Sequence, residues 1–148
     1  MNISIALQGI ASIFLDTAPI IYLVKKNPDY LDRIKDIFQR VDAGQLSVVT
    51  SPITLAECLV YPLRLGLNQL CQDFIDVVVN GTGTTFISIE QKTGETAAQL
   101  RAKYNLKLPD SLQLAAALNA NCDAFLTNDS KLKRITELQV LVLDDLSL

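Results

Sequence analysis

Short apolar runs alternate along the chain with longer stretches whose apolar positions recur every three or four residues. Runs of four to six bounded by turn residues suit buried strands, and the longer period suits helices with one face on a core. On this pattern the first strand lies near Ser12–Asp16. Thr17 and Pro19 then start a helix, since proline is tolerated in a first turn. A second helix spans about Tyr30–Ala43: Leu31, Ile34, Ile37, Phe38 and Val41 share a face, and Gly44 closes it. Leu46–Thr50 is the second strand. Ser51 and Pro52 supply the N-cap and first residue of a helix running toward Leu65, which Gly66 breaks. Leu67–Val79 is a further amphipathic helix, ended by Asn80 and Gly81. Thr84–Ile89 is the third strand, Gln91–Tyr104 and Pro109–Ala120 are helices, Ala124–Thr127 is the fourth strand, and Val140–Leu143 is the last.

Strands alternating with helices predict an α/β fold, with a mainly parallel central sheet of four or five strands flanked by helices. The 148 residues fit one domain, 1–148. A chain of this length buries roughly 70% of its unfolded surface and needs no disulfide or metal staple. The most apolar stretch, Ile3–Val24, approaches the length of a membrane span, but it contains Gln8, Gly9, Ser12, Asp16, Thr17 and Pro19. No Lys or Arg precedes Lys25, so the basic region of a secretory signal is missing. The expectation is a cytoplasmic protein that does not enter a membrane.

Hydrophobic residues make up 49% of the chain, above the usual share for a soluble protein, so part of that surface is expected to cover a partner. The three cysteines, Cys58, Cys71 and Cys122, are odd in number and lack close paired spacing; buried reduced thiols are expected. Histidine is absent, which excludes a Ser-His-Asp triad, a Cys-His dyad and histidine-based zinc or nuclease chemistry. Acid–base work must fall to carboxylates, lysine, tyrosine or bound water. The net charge of −3 is a poor match to a nucleic acid.

The carboxylates reverse that objection. Asp16 is the only charge between Ile3 and Val24, Glu57 the only one between Gly44 and Leu63, and Asp110 the only one between Leu108 and Asn121. Burying a lone carboxylate costs several kcal/mol unless it is paired or binds a cation. In parallel α/β sheets, ligands gather at the carboxyl ends of the strands. Asp16 ends the first strand, Asp129 follows the fourth, Glu57 lies nearly two turns into a helix, and Asp110 lies in a first turn; all four can reach one sheet edge. Magnesium prefers such oxygen ligands, and one or two divalent ions would make the site attractive to phosphate. Taken singly, Asp16 and Asp129 could be helix or turn caps, Glu57 a partner of a distant arginine, and Asp110 a favourable charge at a helix N-terminus.

The segments Phe14-Leu15-Asp16-Thr17, Ser51 with Thr54-Leu55-Ala56-Glu57, Pro109-Asp110-Ser111 through Ala117, and Phe125-Leu126-Thr127-Asn128-Asp129 together resemble the four motifs of PIN domains. The resemblance covers nearly the whole chain in the right order and is closest to the short VapC-like toxins of bacterial toxin–antitoxin pairs. It implies endoribonuclease activity with Mg²⁺ or Mn²⁺, one or two ions, held directly or through water by Asp16, Glu57, Asp110 and Asp129. It also implies that Thr17, Thr127 and Asn128 position water, phosphate or ligands, and that the chain forms a homodimer and binds an antitoxin protein. Helices Tyr30–Ala43 and Ile53–Leu65 are the candidate contact surfaces. One departure is Ala18, where the first motif often carries Asn. Two basic groups, Lys131, Lys133 and Arg134, and Arg101, Lys103 and Lys107, are candidates to guide an RNA backbone.

Two other classes compete. A phosphotransfer or receiver-like domain normally has paired acids after its first strand and a lysine after its last, and neither is present. A non-catalytic PIN-like module would bind RNA or protein without cutting.

Overall fold

Strands with both faces buried need helices on both sides, and the connections here supply them. A computed structural model describes residues 1–148. Its strands are β1 (Ser12–Leu15), β2 (Ser47–Thr50), β3 (Thr84–Phe86), β4 (Ala124–Thr127) and β5 (Gln139–Val142). They form one sheet in the order β3-β2-β1-β4-β5, every neighbouring pair parallel. The helices are α1 (Ile3–Ala6), α2 (Thr17–Val24), α3 (Leu31–Asp42), α4 (Pro52–Arg64), α5 (Asn68–Val78), α6 (Gln91–Tyr104) and α7 (Leu108–Asn119). The α/β class and parallel sheet expected from the sequence are what the chain forms.

The chain builds β1, β2 and β3 outward in one direction, then crosses back to lay β4 on the other side of β1. That reversal makes the carboxyl ends of β1 and β4 a topological switch point, the place where ligands bind in open parallel sheets. Side chains alternate across each strand, so adjacent residues feed different cores. Ile13, Leu15, Val48 and Leu126 join Ile20, Ile34, Ile37 and Phe74 on one face. Phe14, Val49 and Phe125 join Ala97, Leu100, Leu114 and Ala115–Ala117 on the other. Phe14 and Phe125 stack with ring centroids 5.6 Å apart across the β1–β4 pair.

Helix starts follow local chemistry. Ser51 Oγ accepts from the Ile53 amide, with Pro52 in the first turn of α4. Asn105, at φ 54°, closes α6 in the left-handed conformation. The third strand stops at Phe86 rather than Ile89, because β2 ends where Ser51 turns away to cap α4. Ile87 still donates to Thr50 O, but residues beyond it have no strand to pair with. The short helix α1 was not legible in the apolar run that contains it; Asn2 Oδ1 caps it by accepting from the Ser4 amide. No helix is long and apolar enough to cross a membrane.

The two contact surfaces expected from the sequence fare differently. Helix α3 turns Ile34, Ile37 and Val41 into the core and leaves Leu31 and Phe38 only partly exposed. Helix α4 keeps Val60, Tyr61 and Leu63 exposed, continued by Leu65 and Leu67 in the following turn.

Phe125→Ala should lower the unfolding free energy by about 3–5 kcal/mol, because it empties a close-packed site between sheet and α7. Val60→Ala, on the exposed face of α4, should change it by less than about 0.5 kcal/mol. Urea denaturation of both variants checks this; a loss below about 1 kcal/mol for Phe125→Ala would contradict the two-faced core.

Candidate active site

The β1–β4 pairing sets Asp16 beside Thr127. The Asp16 amide donates to Leu126 O at 2.9 Å, continuing the ladder one residue past β1. Asp16 is the N-cap of α2, and its Oδ1 accepts from the Thr17 amide at 2.7 Å. Its Oδ2 accepts from Thr127 Oγ1, also at 2.7 Å. Thr127 in turn accepts from the Asp129 amide at 3.1 Å. Asp129 Oδ1 takes the Lys131 amide and so caps the 3-10 turn Ser130–Arg134. From the opposite side, Glu57 on the second turn of α4 receives Thr17 Oγ1 at 3.0 Å and the Gln113 Nε2 group on the same oxygen, Oε1. Asp110 enters from the first turn of α7.

Electrostatics tie the four acids into one site. Burial pushes the Asp110 carboxyl up to about 6, and the charges of Asp16, Asp129 and Glu57 push in the same direction; Lys107 opposes them weakly. Burial also raises Asp16, which is only 9% exposed, against the pull of its donors Thr127 and Thr17. Glu57 lies on the open side of the site, yet partial desolvation raises it too, opposed by the Thr17 hydrogen bond and reinforced by the charge of Asp16. The structure's ion pairs are Asp36–Arg40, Lys103–Glu137 and Lys133–Asp145, and none of them reaches this cluster.

The cluster offers only carboxylate oxygens, the donor type hard divalent cations prefer. No three of its acids lie close enough to ligate a single ion as they stand. The set therefore fits a cation that takes one or two carboxylates directly and completes its shell with water and phosphate, as magnesium usually does. It does not fit an all-protein cage of the calcium kind.

Asp16, Glu57, Asp110 and Asp129 are thus brought together, and Thr17 and Thr127 hold Asp16 and Glu57. Asn128 is occupied elsewhere: its Nδ2 donates to Tyr22 Oη at 3.2 Å and its Oδ1 accepts from the Asp144 amide at 3.0 Å. It braces the turn after β5, and neither hydrogen bond joins it to the acids. Ala18 brings no polar group at the second position of α2. Of the basic residues, Lys103 and Lys133 are taken up in ion pairs, and Arg101 Nε donates to Leu106 O. Lys107, Lys131 and Arg134 remain as exposed cations outside those pairs.

Two residues were missed by sequence reasoning. Gln113 is completely buried and bonded to Glu57, and Thr54, equally buried, donates to Gln113 Oε1 at 3.2 Å. The available signal was a polar residue one turn after Asp110 inside an otherwise apolar run. All three cysteines are free; burial pushes the Cys58 thiol up to about 12 and Cys122 up to about 11, so neither offers a thiolate.

Residues 13–138 match the PIN domain family. No curated protein matches the chain. Among solved structures, VapBC2 from Rickettsia felis, bound to a promoter DNA fragment, is similar with a TM-score of 0.71 and 20% identity, over 88% of this chain and 98% of that one. A toxin–antitoxin complex from Klebsiella pneumoniae gives 0.66 and 23%, over 88% and 97%. VapC20 from Mycobacterium tuberculosis, a sarcin-ricin loop cleaving toxin, gives 0.66 and 16%, over 86% and 98%. At these identities the likeness establishes the fold.

The raised Asp110 carboxyl has a consequence for stability. The folded protein holds that proton more tightly than the unfolded chain, where the ordinary value is 3.8. The contribution favours folding at low pH and is lost as pH rises from about 4 to about 6. In chelator, Asp110→Asn should therefore melt higher than wild type at pH 7.5 and alike near pH 4. Solvent screening at this half-buried position limits the gain to about 1 kcal/mol. Thermal melts from pH 4 to 8 check this, and parallel profiles for the two proteins would show that Asp110 carries no uncompensated charge.

Proposed function

Because the chain belongs to the PIN domain family, we propose that it is a divalent-metal-dependent endoribonuclease and the toxin of a toxin–antitoxin pair. The observation that carries the reading is the convergence of four acids at the β1–β4 switch point, where Asp110 feels the charges of Asp16, Asp129 and Glu57 and no ion pair neutralises them. The substrate is an RNA phosphodiester, and the products are those of hydrolysis by water.

Bound Mg²⁺ or Mn²⁺ would supply Lewis-acid polarisation of a phosphate oxygen and a water acidic enough to attack at neutral pH. Asp16 and Glu57 would hold the ion, with Asp110 and Asp129 reaching it through water. The Thr17 amide and Thr127 hydroxyl each donate to one Asp16 oxygen and so orient the carboxylate. Lys107, Lys131 and Arg134 would draw the phosphodiester backbone toward the acids. The overall negative charge is no obstacle, since the ion inverts the sign where the phosphate sits.

The similarity to proteins solved as toxin–antitoxin complexes supports an antitoxin partner. The apolar face of α4 and its following turn, with Val60, Tyr61, Leu63, Leu65 and Leu67 exposed, is the surface offered to that partner or to a second copy in a homodimer. Free cysteines suit a reducing, cytoplasmic setting. The second reading is a PIN-like module that binds RNA or protein without cutting; the four assembled acids weigh against it.

Purified protein should cut a structured RNA in Mn²⁺ or Mg²⁺ and stop in chelator. Asp16→Asn should cost at least about a hundredfold, the worth of several kcal/mol of lost charge stabilisation. Equal cutting by the mutant would overturn the site, and wild type that binds Mn²⁺ but cuts no RNA would favour the non-catalytic module.

A further inference from the structure

Gln113 lies three residues after Asp110 on α7, so the two side chains leave the same face of the helix. It is fully buried within the run Leu112-Gln113-Leu114-Ala115-Ala116-Ala117. Burying a carboxamide is unfavourable unless its donors and acceptor are used. Here Oε1 accepts from Thr54 Oγ1 at 3.2 Å, and Nε2 reaches Glu57 Oε1 and, at 3.4 Å, Thr17 Oγ1. An ionised carboxylate only accepts, so the nitrogen must face Glu57; the flipped amide would set two acceptors against each other. The side chain thereby joins α2, α4 and α7 behind the acids. Both protein donors to Glu57 use Oε1, which leaves Oε2 for a ligand.

We propose that Gln113 is a positioning residue of the acidic site: its carboxamide fixes Glu57 and Thr17 so that Oε2 of Glu57 is presented to the divalent cation. The proposal rests on the metal-site reading given above. Packing alone does not explain the residue, because apolar side chains of similar volume at both Gln113 and Thr54 would fill the space and leave neither partner unpaired. A purely structural glutamine could be replaced by methionine with no effect on metal binding. A positioning glutamine could not, since supporting contacts of this kind are worth about 10- to 100-fold in metal affinity. Thr54 should act through Gln113, as it touches Gln113 and Leu15 O and none of the acids.

The test is Mn²⁺ titration of the full chain by calorimetry, for wild type, Gln113→Met, Thr54→Val and the double variant, with melting curves in chelator. Gln113→Met should bind Mn²⁺ about tenfold or more weakly while still melting as a cooperatively folded protein. Thr54→Val should weaken binding less, and the double variant should bind no worse than Gln113→Met, because the two act through one contact. A folded Gln113→Met that binds Mn²⁺ like wild type, or a double variant whose losses add, overturns the positioning role and leaves the metal site standing. If Gln113→Met does not fold, unchanged affinity in Thr54→Val overturns the role. Wild type that binds no Mn²⁺ overturns both readings.

Discussion

Four carboxylates held at one sheet edge, with no protein cation paired to them, set the constraint that the surrounding structure answers. Burial pushes the Asp110 carboxyl up to about 6, and the charges of Asp16, Asp129 and Glu57 add to the cost. A fold selected for stability alone would place an arginine there or replace the acids with apolar residues. The basic side chains near the site instead pair with Glu137 and Asp145 at the periphery or stay open to solvent. The unfavourable charge persists because the topology concentrates it: β1 and β4 are neighbours at the switch point, and the turns after them carry Asp16 and Asp129.

The same topology softens the cost. Asp16 caps α2 and Asp110 occupies the first turn of α7, where the helix dipole favours negative charge. A hydrogen-bonded relay then fixes the Asp16 and Glu57 carboxylates: Asp129 amide to Thr127, Thr127 to Asp16, the Thr17 amide to Asp16, and Thr17 and Gln113 to Glu57. The side-chain donors come from the end of β4, from α2 and from α7, which the two cores hold in place. The stacked pair Phe14 and Phe125 fastens β1 to β4, the strands that lead into Asp16 and Thr127. Packing, strand register and charge placement are therefore one arrangement, seen at three scales.

Much of this was legible in the sequence because the signals were local. Buried strands appear as short apolar runs, Ser51-Pro52 marks a helix start, and an isolated acid in an apolar segment stands out. Gln91–Tyr104 and Ala124–Thr127 are bounded as the pattern predicts. What was not legible depended on partners distant in the chain. The end of β3 is decided by where β2 turns away, and the Ile3–Ala6 helix is hidden within a longer apolar run. Asn128 reads as part of the acidic motif, yet its amide is claimed by Tyr22 and Asp144. Gln113 and Thr54 read as interruptions of an apolar face, because their hydrogen bond spans 59 residues. The apolar stripe of α3 is as regular as an interface stripe would be, and only the tertiary packing assigns it to the core.

The most direct test of the central claim is crystallographic: crystals grown without metal, soaked in Mn²⁺, with the ion located by its anomalous scattering. The account predicts a peak between β1 and α4, with Asp16 and Glu57 oxygens at about 2.0–2.2 Å as for small hard cations, and with Asp110 or Asp129 reaching it through water. A peak elsewhere on the molecule, or none among the four acids at saturating Mn²⁺, would contradict it.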